Sequence, residues 1–219
     1  MSRIVIFANG ILNHPEMLRA RLRPTDRIFC ADGGTRHALT LGLNPDMIIG
    51  DLDSLPPETV LQMEAKGVTI QRHPVDKDFT DLELTLELAV TEKPDEILLV
   101  TALGGRLDQL LGNLLLLTRR EYAPVQIILA DGPQWATLLR SHQSVTITGQ
   151  PGDTLSLIPL TSTVQGVKIM GVKWPLSGAT LSLGSTLTIS NTLIEPHATV
   201  KIGEGMVLLV HFDKTFEEK

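Results

Sequence analysis

Residues 47–54 read Met-Ile-Ile-Gly-Asp-Leu-Asp-Ser, an apolar run that ends in two carboxylates. The run predicts a short buried strand, and Pro56 prevents the strand from continuing much further. Asp51 and Asp53 alternate along an extended backbone, so both side chains can point the same way. Paired carboxylates at the carboxyl end of a strand suit Mg²⁺. A polar turn that caps the next helix is the alternative, because Asp and Ser favour both places.

The first part of the chain, residues 1–132, alternates nearly continuous apolar runs with helical patterns. This alternation predicts a parallel-sheet α/β domain of Rossmann-like type, covered on both faces, with ligands bound beyond the carboxyl ends of the strands. The predicted strands are residues 3–7, 27–31, 47–49, 68–70, 96–101 and 125–130. The predicted helices are residues 15–23, 35–41, 58–66, 80–91 and 108–120.

The second part, residues 133–219, differs in composition: Thr, Ser, Val and Leu dominate, and no helical pattern is present. Short alternating segments separated by glycines predict an all-β sandwich domain. Trp135 is expected to pack within this domain. The predicted strands are residues 144–148, 154–158, 164–169, 180–183, 186–190, 198–202 and 206–212.

Composition restricts the partners. The 219 residues carry a formal net charge of −6 and no cluster of Lys and Arg, so a nucleic-acid partner is not expected. No apolar run is long enough to span a membrane. Cys30 is the only cysteine, which excludes an internal disulfide and predicts a reducing, cytoplasmic location.

A second polar cluster surrounds Lys77, which has carboxylates on both sides in the sequence. Thr80 can act as a helix N-cap, with Glu83 completing a capping box, and Asp81 suits the first turn of a helix. These are structural interpretations. A lysine among carboxylates also suits a site that holds both phosphate and a metal ion.

A third cluster, Gly104-Gly105-Arg106, follows another predicted strand and precedes a helix. Glycines let the backbone approach a ligand closely, and the guanidinium of Arg106 can bind phosphate as a fork. The following helix N-terminus offers free N–H groups. The segment is not a Walker A loop, because no Gly-Lys-Ser/Thr follows. It is not a dinucleotide-binding fingerprint either, because the third glycine of that motif is missing.

Taken together and in this order, these motifs resemble those of the thiamine pyrophosphokinase family over residues 4–212. The motifs of the first part are Asp32-Gly33-Gly34, Gly50-Asp51-Leu52-Asp53-Ser54, Lys77-Asp78-Phe79-Thr80-Asp81, Gly104-Gly105-Arg106-Leu107-Asp108-Gln109 and Asn113-Leu114. The motifs of the second part are Gly171-Val172-Lys173-Trp174-Pro175-Leu176 and Ile189-Ser190-Asn191. The sequence departs from many bacterial members at Gln109, where they have His.

The resemblance implies transfer of a pyrophosphoryl group from ATP to the hydroxyl of thiamine, giving thiamine diphosphate and AMP. It implies Mg²⁺ on Asp51, Asp53 and Asp81, with Lys77 and Arg106 also catalytic. It implies that ATP is bound by Asp32, Gly33, Gly34, Asp78, Thr80, Gly104, Gly105, Arg106, Asp108 and Gln109. It implies that thiamine is bound by Lys173, Trp174, Ser190 and Asn191. It also implies a homodimer whose active sites are shared between the α/β domain of one chain and the β domain of the other.

Several alternatives remain open from the residues alone. Asp32, Asp78 or Asp108 could orient the thiamine hydroxyl. Trp174 could be a core or interface residue rather than a stacking platform. Asp51 and Asp53 could serve a metal-dependent nucleotidyl- or glycosyltransferase, and the β domain could belong to a non-enzymatic module that binds thiamine or a nucleotide.

Overall fold

The computed structural model describes residues 1–216 and divides into two compact units, the first Met1–Gly132 and the second beginning at Pro133. The last three residues of the predicted second domain lie outside the described part of the chain. Within residues 1–216, none of the helices has the length and apolar character that crossing a membrane requires.

The first unit contains six strands joined by parallel pairing in the order β6-β5-β1-β2-β3-β4. The first three are β1 (Arg3–Phe7), β2 (Arg27–Ala31) and β3 (Met47–Gly50). The others are β4 (Thr69–Arg72), β5 (Glu96–Val100) and β6 (Gln126–Asp131). Every residue of β1 and β5 is buried, as near-continuous apolar strands of a covered parallel sheet require.

The helices of the first unit are α1 (Pro15–Arg21), α2 (Gly34–Thr40), α3 (Pro57–Ala65), α4 (Asp81–Thr91) and α5 (Leu107–Leu116), and a 3₁₀ turn spans Arg120–Tyr122. All five helices lie where the sequence predicts them, but α1 and α5 end early. Leu22 is already extended before Arg23-Pro24, which shortens α1. α5 ends at Leu116 rather than at residue 120 because the chain turns there into the 3₁₀ segment.

The strand order reverses direction between β1 and β5. From β1 the chain proceeds through β2 and β3 to β4 on one side, and β5 and β6 then lie on the other side of β1. In an open parallel sheet such a switch point leaves a crevice beyond the carboxyl ends of the two strands. The residues that follow β1 and β5 therefore lie where a ligand is expected to bind.

The second unit is built from antiparallel strands in two sets. One set has the order β12-β9-β14-β7 and the other β11-β10-β13-β8. Buried residues from both sets, including Leu157, Leu209, Val167 and Val200, form a single hydrophobic cluster, against which Trp135 packs. The strands are β7 (Gln134–Arg140), β8 (Ser144–Thr148), β9 (Thr154–Pro159), β10 (Thr163–Met170), β11 (Leu176–Ser182), β12 (Asn191–Thr192), β13 (His197–Lys201) and β14 (Met206–Phe212), and a 3₁₀ turn spans Lys214–Phe216.

The strand predictions for this unit omit β7 and β12 and include one strand that is absent. Residues 134–140 form β7, which pairs along its whole length with β14. Residues 186–190 form turns instead of a strand. Ser190 has φ +59°, and the buried Thr188 hydroxyl donates a hydrogen bond to the Leu157 carbonyl of β9 at 2.7 Å, so a side-chain contact with a distant strand holds this segment instead of a strand ladder.

Candidate active site

Three carboxylates meet at the carboxyl ends of β2 and β3. Asp32 follows β2, while Asp51 and Asp53 follow β3, and the two strands pair in parallel, so their ends lie side by side. One oxygen from each carboxylate lies within 4.8 Å of the other two. Hard oxygen ligands at this spacing are the donor set that Mg²⁺ prefers.

Asp32 is the buried member of this group, since only 4% of the residue is exposed. Its backbone has φ +42°, and its N–H donates to the Ile49 carbonyl at 2.8 Å, which fixes the turn after β2. Its buried Oδ1 has no hydrogen-bond partner among the described residues. A buried carboxylate oxygen without a donor is costly unless a cation or ligand completes it, so the residues present fit a metal ion.

Lys77 connects this group to Asp81. Its ammonium lies 3.1 Å from Oδ2 of Asp51 and 3.0 Å from Oδ1 of Asp81. Burial lowers the pKa of Lys77, but hydrogen bonds and charge attraction from both carboxylates outweigh it and raise the pKa above its usual value. Burial raises the pKa of Asp51, but the hydrogen bond from the Asp53 N–H and the charge and hydrogen bond of Lys77 outweigh it and hold the pKa of Asp51 below its usual value. Lys77 and Asp51 are therefore charged at neutral pH.

Asp81 begins α4, directly after its N-cap. The Thr80 hydroxyl accepts a hydrogen bond from the Glu83 N–H at 3.1 Å, which confirms the predicted N-cap. The Glu83 side chain forms an ion pair with Arg119. Burial raises the pKa of Asp81, and Lys77 only partly offsets it. Asp81 is not one of the three carboxylates whose oxygens lie within 4.8 Å of one another, and the Lys77 ammonium bridges it to Asp51.

Gly50 separates Asp32 from Asp81. Its φ is +151°, and a Cβ at this position would lie 2.9 Å from Cβ of Asp32 and 3.1 Å from Cγ of Asp81. No side chain fits there without moving one of these carboxylates. Gly50 is therefore required by the two carboxylates that pack around it, Asp32 and Asp81.

The glycine turn after β5 adopts a left-handed conformation, with φ +81° at Gly104 and +74° at Gly105. Arg106 follows as the N-cap residue of α5 and is well exposed. Its guanidinium donates to Asp108 through two hydrogen bonds, of 3.1 and 2.6 Å, which together with the charge of Asp108 raise its pKa. The predicted phosphate fork is therefore occupied by a carboxylate from its own helix.

A cleft of about 500 Å³ opens at the switch point between β1 and β5. Asp32 and Asp81 line it from the side of the acidic cluster, and Arg106 lines it from the side of α5. Its full lining is Ala8, Asn9, Gly10, Ala31, Asp32, Thr80, Asp81, Leu82, Glu83, Ala102, Gly104, Arg106, Asp108, Gln109, Gly112, Asn113 and Leu116. The cleft is large enough for a nucleotide and carries both carboxylates and a guanidinium.

Not every predicted nucleotide residue reaches this cleft. Gly33 is the N-cap of α2 and Gly34 is its first residue, and a Cβ on them would approach Asn9 Oδ1 to 2.4 Å and the Phe7 carbonyl oxygen to 2.1 Å respectively. Their evident role is to let the start of α2 approach β1 closely. Asp78 is exposed in the loop before α4, outside the cleft lining.

Sequence reasoning missed the cleft residues that follow β1. Asn9 and Gly10 line the cleft, and the Gly10 N–H donates to the Thr101 carbonyl at 2.8 Å, which joins the ends of β1 and β5. The signal was present, because Asn9-Gly10 breaks an apolar run just as the other polar clusters do. Asn113 supports the same region by donating from its side chain to the Ala102 carbonyl at 2.9 Å.

The second unit carries the predicted thiamine residues. Trp174 is 54% exposed, and the Lys173 ammonium lies 4.7 Å from the centroid of its ring. The buried Asn191 side chain accepts from the Trp174 N–H at 3.1 Å and donates to the Trp174 carbonyl at 2.7 Å. Ser190, at positive φ, donates its N–H to the Ser156 hydroxyl at 2.9 Å. Asn191 thus fixes the backbone under an exposed indole.

The carboxylates, the lysine beside them and the cleft next to a glycine turn are a combination that suits an enzyme transferring a phosphoryl group from a nucleotide. Two family models match the chain: "Thiamin pyrophosphokinase, catalytic domain" over residues 18–129 and "Thiamin pyrophosphokinase, vitamin B1 binding domain" over residues 142–207. The chain belongs to the thiamin pyrophosphokinase family.

Individual relatives agree with the family models. A thiamine pyrophosphokinase of Bacillus subtilis is 30% identical over 82% of this chain and 84% of its own length. The crystal structure of thiamine pyrophosphokinase from Bacillus subtilis matches with a TM-score of 0.87 and 28% identity, over 97% of this chain and 99% of that one. The structure from Geobacillus thermodenitrificans gives 0.84 and 31%, over 96% and 97%.

The family catalyses the transfer of a pyrophosphoryl group from ATP to thiamine, and this chain is accordingly an enzyme of the transferase class. The two matched segments fall in the two structural units. Of the functions that the residues alone left open, the family assignment selects the pyrophosphokinase over a nucleotidyl- or glycosyltransferase and over a binding module.

Proposed function

We propose that this enzyme binds ATP and Mg²⁺ in the first unit and thiamine on Trp174 in the second. It transfers a pyrophosphoryl group from ATP to thiamine in active sites that are shared by two chains. The first unit is then a Rossmann-like catalytic domain, residues 1–132, and the second a β-sandwich thiamine-binding domain, residues 133–219. The observation that carries the proposal is the group of Asp32, Asp51 and Asp53, in which the buried Asp32 Oδ1 has no hydrogen-bond partner within residues 1–216, beside a cleft of nucleotide size.

Asp51 and Asp53, with Asp81, are proposed to hold the metal ion. Asp32 joins this set because its oxygen lies within 4.8 Å of those of Asp51 and Asp53. A bound Mg²⁺ would supply positive charge to phosphate oxygens as negative charge develops on them. Lys77 already lies among these carboxylates, and it would hold a phosphate as a point cation while keeping Asp51 and Asp81 in place.

Arg106 is proposed to bind the phosphates as a fork once it leaves Asp108. The thiamine hydroxyl attacks the β-phosphorus of ATP, and AMP leaves. The chain mainly positions these groups and neutralises charge, as phosphoryl-group transfer requires. Asp108, which lines the cleft and is not one of the proposed metal-binding carboxylates, is the candidate there for orienting the hydroxyl and accepting its proton once Arg106 has left it.

An assay for AMP tests this function. The wild-type enzyme with ATP, Mg²⁺ and thiamine should form AMP and thiamine diphosphate in equal amounts, and omission of thiamine should stop AMP formation. Asp51→Asn and Asp53→Asn should abolish turnover while far-ultraviolet circular dichroism stays unchanged, because the side chains are nearly isosteric. Full activity of either variant at ordinary Mg²⁺ would contradict the metal assignment.

Shared sites can be tested by mixing two impaired chains and assaying them at a thiamine concentration far below the KM of Trp174→Ala, where neither chain alone gives appreciable turnover. Trp174→Ala damages the thiamine platform and Asp51→Asn damages the metal site, so a heterodimer with shared sites keeps one intact site. Random exchange makes half of the dimers heterodimers, and about a quarter of all sites should become active. Mixtures that exchange subunits, as shown by mass spectrometry, yet are no more active than the two separate chains would contradict shared sites.

A cytoplasmic location completes the proposal. Its support is chemical: Cys30, the only cysteine, is fully buried, and burial raises the pKa of its thiol far above the usual value. The fold therefore neither uses nor requires an oxidising compartment.

A further inference from the structure

The Trp174 platform of the second unit already carries a cation. The Lys173 ammonium lies 4.7 Å from the indole centroid, within the distance at which a cation is attracted by the ring. Lys173 forms no ion pair with an acidic side chain in residues 1–216. The indole is the contact that the structure provides for this ammonium group.

The backbone holds this arrangement in place. Asn191 binds both the N–H and the carbonyl of Trp174, and the Lys173 N–H donates to the Thr192 carbonyl at 2.8 Å. The ring is therefore presented from a fixed backbone, while the lysine side chain has four rotatable bonds and an exposed end. Of the two partners, the ammonium is the one that can move away.

We propose that Lys173 competes with the cationic thiazolium of thiamine for the indole of Trp174, and that it thereby sets the affinity of the site for its substrate. This inference rests on the proposed role of Trp174 in thiamine binding. Two cations cannot both sit on the same face of one ring, since they would overlap and repel each other there, so the competition is for the face that the Lys173 ammonium covers. On that face, thiamine binding includes departure of the Lys173 side chain, which reduces the fraction of protein that is ready to bind.

Isothermal titration of thiamine, with Mg²⁺ and α,β-methylene ATP present, tests the competition. Lys173→Met removes the ammonium and keeps an unbranched apolar side chain. It should lower the Kd for thiamine about two- to fivefold, the factor expected for removing a solvent-exposed cation–π contact. Lys173→Arg should raise the Kd above that of the wild type, because a guanidinium stacks on an aromatic ring more strongly.

Lys168→Met is the matched control, because it removes an exposed lysine charge from β10 of the same unit without touching Trp174. Its thiamine Kd should equal that of the wild type. A Kd that rises in Lys173→Met would show that the ammonium assists binding, and an unchanged Kd would show that it stays in place; either result overturns the proposal. A fall of the same size in Lys168→Met would attribute the effect to net charge and overturn it too.

Nuclear magnetic resonance gives a second readout. The Lys173 ε-methylene protons should be shifted upfield by the indole ring current in the free protein and should move towards ordinary values when thiamine is added. An upfield shift that persists at saturation contradicts the competition. Failure of the proposed function itself would look different: the wild type would not bind thiamine, or Trp174→Ala would bind it normally.

Discussion

Gly50→Ala should separate the carboxylates of the active site with one methyl group. The added Cβ would lie 2.9 Å from Cβ of Asp32 and 3.1 Å from Cγ of Asp81. Carbon atoms in ordinary contact are about 3.5 Å apart or more, so these side chains must move by about 0.6 and 0.4 Å respectively. Since a misplacement of about 1 Å can cost 10²-fold in rate, kcat/KM should fall by about ten- to a hundredfold.

The same substitution also strains the backbone, because Gly50 has a positive φ of +151°. Gly67→Ala is the matched control: Gly67 has φ +80° at the end of α3, and a Cβ there would meet nothing within 4 Å. Both variants should lose about 1–3 kcal/mol of unfolding free energy. Only Gly50→Ala should lose activity.

Steady-state kinetics at several Mg²⁺ concentrations, well below the melting temperature of both variants, provides the assay. Gly50→Ala should need more Mg²⁺ for half-maximal activity, whereas Gly67→Ala should keep the wild-type Mg²⁺ dependence. A Gly50→Ala enzyme within threefold of wild-type kcat/KM, with normal Mg²⁺ dependence, would refute the placement of Asp32 and Asp81 around the reacting centre.

Three further predictions concern single side chains. Arg106→Lys keeps the charge but removes the fork, so kcat/KM for ATP should drop clearly in steady-state assays; an unchanged value would make Arg106 an exposed partner of Asp108 only. Trp174→Ala should raise the thiamine KM by about thirtyfold if a desolvated cation–π contact of roughly 2 kcal/mol is lost, while the ATP KM moves little; a lower melting temperature with a normal thiamine KM would instead indicate a structural Trp. For Asp81, burial raises the folded-state pKa above the unfolded value of about 3.9, so the folded protein binds the proton more tightly and stability falls as pH rises between the two values. Asp81→Asn should therefore raise the melting temperature of the metal-free protein at pH 7 but abolish activity. The gain in stability should disappear below about pH 3.9, where Asp81 is protonated in both the folded and the unfolded protein. A lower melting temperature of the variant at pH 7 would show instead that the Lys77 ion pair dominates.

The sequence predicted the parallel strands and the polar groups that end them, because both signals are local. Apolar runs identify β1 to β6, and carboxylates or glycines just after β2, β3 and β5 lie at the same edge once the pairing is parallel. The Thr80 cap is equally local, since donor and acceptor are three residues apart. Patterns of this kind do not depend on knowing the rest of the fold.

Features that depend on distant partners could not be predicted. Arg3, at the start of an apolar run, is buried because it pairs with Asp26 at 2.7 Å and with Glu96 at 3.2 Å, and Glu96 is 93 residues away. The proximity of Asp32 to Asp51 likewise requires the β2–β3 register. The turn at residues 186–190 depends on the Thr188–Leu157 hydrogen bond, which an alternating pattern does not reveal.

The position of phosphoryl attack is the most direct test of the account. Enzyme, Mg²⁺ and thiamine would be incubated with ATP labelled at the β-phosphorus, and the products separated by chromatography. The account predicts that the label moves entirely into thiamine diphosphate, with one AMP formed for each molecule. Label left in ADP beside thiamine monophosphate, or released as free pyrophosphate without thiamine, would contradict transfer of a pyrophosphoryl group to thiamine.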